Sequence, residues 1–205
     1  MTVRAILPAV AGLALLWLAM LLLGAGDVDR EILLALYARD EPLLALVALG
    51  FTFFGDWWTA VAVALLGSAW LLYRGRRPEA LLLLVTTFTG RALVILEKAY
   101  FSRIRPEEHM HLVDVSSMSF PSGHSANSMM VHLSLALLAF DDDRRRKPAV
   151  AAALALTFLV GLSRPMLGVH WPSDVIGGWS FGALWTLSLI TIGQRLRERR
   201  KPARA

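Results

Sequence analysis

Apolar residues dominate six stretches of the chain that are long enough, or nearly long enough, to cross a lipid bilayer as helices. A crossing takes roughly 20 apolar residues, because the hydrocarbon core is about 30 Å thick and a helix rises about 1.5 Å per residue. Three stretches carry no charged residue: 5–26, 57–73 and 175–194. Three others contain a few polar residues: 80–98, 121–140 and 149–163. The pattern predicts an all-α protein with six transmembrane helices, organised as a single domain over residues 1–205.

Two shorter apolar segments do not fit this pattern. Residues 43–55 are too few to cross the bilayer, and only Asp56 separates them from the second span, so we expect a re-entrant or interfacial segment. Residues 32–37 are expected to lie on the membrane surface. A cleaved signal peptide is the alternative for the first span, although its uncharged run exceeds the roughly 7–15 apolar residues of such peptides.

Composition supports the membrane interpretation. Hydrophobic residues make up 56% of the 205 residues and charged residues 18%, against about 45–50% and about 25% in soluble domains. This excess excludes a disordered chain and argues against an ordinary soluble enzyme. The chain has no cysteine, which excludes disulfide scaffolds, thiolate metal sites and thiol nucleophiles.

The basic residues carry a signal for topology. Fourteen of the 21 lysines and arginines precede the first span or follow the second, fourth and sixth, and six crossings place all fourteen on one side. Basic loops mark the cytoplasmic side, so we expect both termini in the cytoplasm. The net charge of +5 is therefore explained by basic cytoplasmic loops, and we expect no nucleic-acid partner. We also expect no obligate protein partner.

Three polar motifs fall on the opposite, extracytoplasmic face. Charged groups near a bilayer are costly and indicate function. Each motif alone fits an interfacial anchor or a turn, but their coincidence on one face favours a common site at that end of the bundle. The motifs are Lys98 with Arg105-Pro106, the run Pro121-Ser122-Gly123-His124, and Ser163-Arg164 with His170 and Asp174.

The residue types in these motifs suit phosphoryl transfer. A phosphate needs several cations and hydrogen-bond donors around its oxygens. Lys98, Arg105 and Arg164 supply three positive charges. Ser122 and Gly123 supply backbone amides at the start of a helix, where anions bind well.

Two histidines, His124 and His170, can divide the nucleophilic and acid roles of such a reaction. His170 and Asp174 are four residues apart, so one helical turn can bring the carboxylate to the imidazole and fix its tautomer. No His, Asp and Glu grouping has the spacing of a metal site, and three cations would repel a divalent ion. We therefore expect no metal.

These motifs resemble the signature of the type 2 phosphatidic acid phosphatase (PAP2) superfamily of membrane lipid phosphatases, which is related to the vanadium haloperoxidases. The signature reads K-x6-RP, PSGH and SR-x5-H-x3-D, and residues 98–174 match every signature position. The six spans extend the resemblance to nearly the whole chain. The resemblance implies catalysis without a metal or an organic cofactor.

The resemblance also implies a role for each site residue. His170 would be the nucleophile that forms a phosphohistidine, Asp174 would orient it, and His124 would protonate the leaving group. The phosphate would be held by Lys98, Arg105, Ser122, Gly123, Ser163 and Arg164. Pro165 departs from the residues that relatives commonly carry there. A proline disfavours helical backbone at the preceding residue, so we expect the fifth span to end at Arg164.

The expected function is hydrolysis of a lipid phosphate or pyrophosphate at the outer face of a bacterial inner membrane. That location favours undecaprenyl pyrophosphate. The resemblance also allows phosphatidylglycerol phosphate, phosphatidic acid, diacylglycerol pyrophosphate and lipid A 1-phosphate. A vanadium haloperoxidase would share the site, but those enzymes are soluble and larger. A non-enzymatic lipid transporter or scramblase is an alternative of another class. It would need polar residues through the membrane, whereas only Arg91 and His132 fall deep in the spans.

Overall fold

The computed structural model describes residues 3–200, which form eight α-helices and two short 3-10 turns with no β-strand. The helices are α1 (Val3–Leu23), α2 (Asp27–Leu36), α3 (Pro42–Thr52), α4 (Trp57–Tyr73), α5 (Arg77–Phe101), α6 (Gly123–Ala139), α7 (Asp143–Met166) and α8 (Pro172–Arg200). The 3-10 turns are Phe53–Gly55 and Glu108–Met110. Lys201 and Arg204, which belong to the predicted cytoplasmic set, lie outside the described residues.

The all-α membrane architecture is confirmed. Within residues 3–200, four helices are long and apolar enough to cross a bilayer: α1, α5, α7 and α8. Helices α3 and α4 form a fifth candidate, a pair bent by 49° at Asp56. The remaining predicted span corresponds to α6, which has 17 residues, somewhat fewer than the roughly 20 of a typical crossing.

Helix α6 lies at the centre of the bundle. It packs against α4, α5, α7 and α8, and 12 of its 17 residues are buried. Small residues let the backbones approach closely, as is common between membrane helices. A Cβ atom at Gly178 of α8 would lie 2.6 Å from the carbonyl oxygen of Ser122 and 2.9 Å from Cβ of Ser125. Close packing therefore fixes the start of α6, where His124 stands, against the rest of the molecule.

The bend between α3 and α4 brings a loop carboxylate to the start of α6. The 3-10 turn packs against α6, and a Cβ atom at Gly55 would lie only 2.9 Å from Cβ of His124. Nδ2 of Asn127 donates to the Gly55 carbonyl at 3.4 Å. Asp56, the next residue after Gly55, is therefore held close to the start of α6. The prediction that residues 43–55 form a re-entrant or interfacial segment stays a prediction.

The expectation that the fifth span ends at Arg164 is wrong. Helix α7 continues through Pro165 to Met166. Proline removes only its own N–H from the last helical turn, and later residues close that turn. The backbone N–H groups of Leu167, Gly168 and Val169 donate to Ser163, Pro165 and Arg164. Gly168 has φ of +72°, the left-handed conformation that commonly ends a helix.

Candidate active site

A cavity of about 270 Å³ opens at the end of the bundle where α6 begins and α5 ends. Six of the nine predicted site residues line it: Lys98, Arg105, Gly123, His124, Arg164 and His170. The other three, Ser122, Ser163 and Asp174, are buried behind its wall. Residues from four helices and two loops thus meet at one place, although they are spread over more than 70 positions of the sequence.

His170 and Asp174 form a pair, as their spacing predicts. His170 lies in the loop between α7 and α8, and its Nδ1 is 3.3 Å from Oδ2 of Asp174. On the other side of the ring, Nη1 of Arg105 is 3.2 Å from Nε2. A carboxylate only accepts hydrogen bonds and a guanidinium only donates them. The proton of the neutral ring therefore resides on Nδ1, and Nε2 carries the lone pair.

The ring of His170 is held in its neutral form by its surroundings. His170 is 1% exposed, and this burial lowers its pKa well below the ordinary value of 6.5. The charges of Arg105, Lys98 and Arg164 lower the pKa further. A neutral imidazole is nucleophilic, whereas a protonated one is not. The site thus keeps a reactive nitrogen available at neutral pH.

Asp174 has a charged partner that the sequence did not indicate. Nη1 of Arg103 donates to Oδ1 of Asp174 at 2.9 Å, while Nη2 donates to the carbonyl oxygens of Met20 and Leu21 at 2.8 and 2.6 Å. The guanidinium also stacks 4.3 Å from the centre of the Phe120 ring. Arg103 thereby neutralises a fully buried carboxylate and ties it to α1.

Two further donors contact the Asp174 carboxylate at Oδ2. The backbone N–H of Trp171 donates to Oδ2 at 2.9 Å, and the hydroxyl of Ser119 donates to the same oxygen. Behind it, Asp29 of α2 accepts from the backbone N–H of Ser173 at 2.9 Å. Because both carboxylate oxygens accept from donors on other segments, Asp174 is fixed in the orientation that meets Nδ1 of His170.

His124 also has a carboxylate partner outside the predicted set. Its Nε2 lies 2.8 Å from Oδ1 of Asp56, in the break between α3 and α4. The one sequence signal for Asp56 was a charged residue between two apolar segments. The side chain of Ser122 caps α6 by accepting from the backbone N–H of Ser125, which fixes the turn that carries His124.

The three predicted phosphate-binding cations are held by neutral oxygens. Lys98 Nζ donates to the carbonyl of Ser119 at 3.2 Å and also to that of Met118. Arg105 Nε donates to the carbonyl of Ser117 at 2.6 Å. Arg164 donates to the Thr52 hydroxyl, and its Nε is buried without a partner. Across residues 6–198 none of the three forms an ion pair with a carboxylate, so their charges stay available to an anion.

The other three predicted phosphate-binding residues, Gly123, Ser122 and Ser163, differ in their position relative to the cavity. Gly123 lines it, and a Cβ atom there would lie 3.8 Å from Cε of Lys98. The hydroxyl of Ser163 donates to the Val160 carbonyl at 2.6 Å, and that of Ser122 serves as the helix cap. Both hydroxyls are thus engaged within the protein, and the phosphate-binding roles of Ser122 and Ser163 stay predictions.

Two polar residues that the sequence placed deep in the spans behave differently. The side chain of Arg91 reaches the cavity wall. His132 remains apart from this cavity, and its Nδ1 lies 2.9 Å from the Ser128 carbonyl. In the part of the chain that the structure describes, no three His, Asp or Glu side chains are grouped to hold a metal ion.

The chain is similar in sequence to known membrane phosphatases. Residues 79–198 match the family model described as the PAP2 superfamily. Phosphatidylglycerophosphatase B of Bacillus subtilis (strain 168) is 33% identical over 163 residues, which cover 77% of this chain and 79% of that protein. Decaprenylphosphoryl-5-phosphoribose phosphatase of Mycobacterium tuberculosis (strain ATCC 25618 / H37Rv) is 31% identical over 170 residues, which cover 78% of this chain and 88% of that protein.

A solved structure has the same architecture. The crystal structure of the first transmembrane PAP2 type phosphatidylglycerolphosphate phosphatase from Bacillus subtilis superposes with a TM-score of 0.81 at 30% identity. The match covers 95% of this chain and 98% of that chain. The likeness therefore extends beyond the motif region to α1 and the helices around the cavity.

Proposed function

The chain belongs to the PAP2 superfamily and is a membrane lipid phosphatase, and we propose that it transfers a phosphate group from a lipid to His170 before water releases it. The observation that carries this proposal is the environment of His170. Its Nδ1 faces the buried Asp174 carboxylate, and its Nε2 lies beside Arg105 in the cavity wall. A lone pair on Nε2 can therefore reach a phosphorus atom bound among the cations.

The reaction takes two steps. First, Nε2 of His170 attacks phosphorus, the bond between phosphorus and the lipid oxygen breaks, and His124 gives a proton to that oxygen. Then a water molecule attacks the phosphohistidine, gives a proton back to His124, and the phosphorus–nitrogen bond breaks. Inorganic phosphate leaves, and the electron pair returns to Nε2 of His170. General-acid help of this kind contributes about 10²- to 10⁴-fold to the rate.

The cations stabilise the charge that develops on the phosphoryl oxygens. Lys98, Arg105 and Arg164 are positioned in advance by carbonyl and hydroxyl oxygens, so little reorganisation is needed when the phosphate arrives. The first turn of α6, which includes Gly123 and His124, also borders the cavity, and the amide groups of a helix N-terminus favour an anion.

We propose six crossings, with the cavity on the extracytoplasmic side. The bent pair of α3 and α4 counts as one crossing, and α6 completes the set. The opposite end of the bundle gathers the basic segments. Arg76 pairs with Asp141 at 2.6 Å, and Arg197 pairs with Glu79 at 2.8 Å. The first pair joins the α4–α5 connection to the α6–α7 loop, and the second joins the start of α5 to the end of α8. Basic loops favour the cytoplasm.

The substrate is a lipid with a terminal phosphate. Phosphatidylglycerol phosphate is the first candidate, because the names of the Bacillus subtilis relative and of the solved structure describe that activity. Undecaprenyl pyrophosphate is the second, because an extracytoplasmic site in a bacterial inner membrane suits its hydrolysis. Phosphatidic acid carries its terminal phosphate directly on diacylglycerol and serves as the third lipid in the test.

The test is phosphate release by purified protein from these three lipids in detergent micelles. We expect release from at least one of them, loss of that release in His170→Ala, and wild-type rates in His109→Ala. His109 is an exposed loop histidine that does not line the cavity, so it controls for the substitution itself. Absence of phosphate release from all three lipids, with lipid flipping in liposomes, would instead support a transporter.

A further inference from the structure

We propose that Arg91 forms a second anion-binding subsite, which holds the phosphorus group that stays with the lipid after hydrolysis. That group is the phosphodiester of a phosphatidylglycerol phosphate or the inner phosphate of a lipid diphosphate. The inference rests on the proposed function, because the transferred phosphate must occupy the part of the cavity beside His170.

Arg91 reaches the cavity from within the membrane-spanning part of α5. It precedes Lys98 by seven residues, which is two helical turns and about 10 Å along the axis. Its guanidinium carbon nevertheless lies 5.4 Å from the centre of the Trp57 ring, at the cavity end of α4. Its Nη1 would be 3.2 Å from a Cβ atom at Gly123. The long side chain thus carries its charge toward the site end of the bundle.

The donors of Arg91 are not engaged by the protein. Each of Lys98, Arg105 and Arg164 donates to a carbonyl or hydroxyl oxygen. The guanidinium of Arg91, by contrast, forms no hydrogen bond and no ion pair with any side chain or backbone group among the described residues 6–198. Its contact is the face of Trp57, a cation–π arrangement. An arginine presents five N–H donors in a fork that suits phosphate oxygens, so these donors remain for a ligand.

The Trp57 ring is itself fixed. It meets the Phe88 ring edge to face, with the two centres 5.5 Å apart, and Phe88 lies one turn before Arg91 on α5. The guanidinium is therefore supported on one flat face while its edge borders the cavity. Gly123 lies between Arg91 and Lys98, and its missing side chain leaves room for both cations to approach one ligand.

The charges around the cavity fit two phosphorus groups better than one. Four cations line it, and Asp56 is the one carboxylate among its described lining residues. Asp174 lies behind the wall with Arg103 as its own partner. A phosphomonoester carries about two negative charges near neutral pH, because its second pKa is about 6. An adjacent phosphodiester or inner phosphate adds at least one more, and phosphatidic acid lacks that group.

The experiment compares Arg91→Met with the matched control Arg77→Met. Arg77 is an exposed residue at the far end of the same helix. Steady-state kinetics are measured on phosphatidylglycerol phosphate, on undecaprenyl pyrophosphate, and on two substrates with a single phosphorus, phosphatidic acid and 4-nitrophenyl phosphate. Arg91→Lys, which keeps the charge but not the fork, is the second variant. Size-exclusion chromatography and thermal unfolding confirm that each variant is folded.

We expect Arg91→Met to raise KM for the two-phosphorus lipids by about 10- to 100-fold, the worth of hydrogen bonds to a charged group. On the single-phosphorus substrates, the kinetic constants of Arg91→Met should stay within about 3-fold of the wild-type values. Arg77→Met should stay within the same range on every substrate. The KM of Arg91→Lys for the two-phosphorus lipids should lie between those of the wild type and Arg91→Met. An equal loss on both substrate classes would place Arg91 at the transferred phosphate and overturn the subsite. No change on either class would overturn it as well. If the wild type releases phosphate from none of the substrates, the proposed function falls first and the subsite with it.

Discussion

Oδ1 of Asp56 lies 2.8 Å from Nε2 of His124, although the two residues are 68 positions apart in the sequence. The contact exists because α3 and α4 bend by 49° at Asp56 and the 3-10 turn before the bend packs directly on α6. A carboxylate that hydrogen-bonds one nitrogen of an imidazole fixes the tautomer and the orientation of the ring, and a general acid must be oriented toward the leaving group. Asp56 is thus positioned to assist protonation of the leaving group by His124.

Asp56→Asn should slow the enzyme most on substrates with a poor leaving group. An alkoxide that leaves from phosphatidic acid needs a proton, whereas a nitrophenolate is stable without one. We expect kcat to fall by about 10-fold or more on phosphatidic acid and much less on 4-nitrophenyl phosphate. His124→Ala should show the same selectivity with a larger loss.

The control for this measurement is Asp40→Asn, which changes an exposed aspartate outside the cavity wall and should match the wild type. Equal losses of Asp56→Asn on good and poor leaving groups would contradict an acid-supporting role. They would assign Asp56 to the structure of the bend.

Arg103→Met should destabilise the protein, because it leaves the Asp174 carboxylate buried without its charged partner. The two side chains are 10% and 0% exposed, and removing one partner of a buried pair costs about 3–5 kcal/mol. Arg30→Met removes an exposed pair with Glu107 at 2.9 Å and should cost less than about 1 kcal/mol. Denaturant unfolding in micelles measures both changes, and similar losses for the two variants would contradict the role assigned to Arg103.

Motif spacing predicted that the site residues lie together, because loops at one end of a membrane bundle must lie near one another. It did not predict Arg103 or Asp56. Their partners lie 71 and 68 residues away, and neither pairing leaves a short-range pattern. The bounds of α7 were missed for another reason. A proline one residue before a helix end removes one hydrogen bond, and the turn at Gly168 closes the helix despite that loss.

The acid limb of the pH profile should move when Arg105 is replaced. The pKa of His170 is lowered well below 6.5 first by burial and then by the charge of Arg105. Removing that charge in Arg105→Gln makes protonation easier, so the pKa of His170 rises and the neutral ring is lost at a higher pH. The acid limb of kcat/KM on 4-nitrophenyl phosphate should therefore shift to higher pH, alongside a lower maximum from weaker phosphate binding.

The wild type on the same substrate is the reference, since the ionisation of 4-nitrophenyl phosphate is common to both profiles. A limb that stays in place or moves to lower pH would show that the charge of Arg105 does not control the protonation of His170.

Single cysteines should report the side of the membrane on which the cavity opens. The natural chain has none, so labelling has no background. Glu108→Cys, in the exposed loop after α5, should react with an impermeant thiol reagent in intact cells, and Asp142→Cys, in the loop between α6 and α7, should react only after the cells are opened. Reversed labelling would place the cavity in the cytoplasm.

The covalent intermediate is the most direct test of the central claim. Wild-type protein is mixed with a lipid that carries a radiolabelled terminal phosphate, quenched in alkali, in which a phosphohistidine survives, and digested for mass spectrometry. We predict that the wild type carries labelled phosphate on His170 and that acid treatment removes it. His170→Ala should carry no label, whereas His124→Ala should keep the label when 4-nitrophenyl phosphate is the donor. Phosphate on His124, or full phosphate release by His170→Ala, would contradict the account.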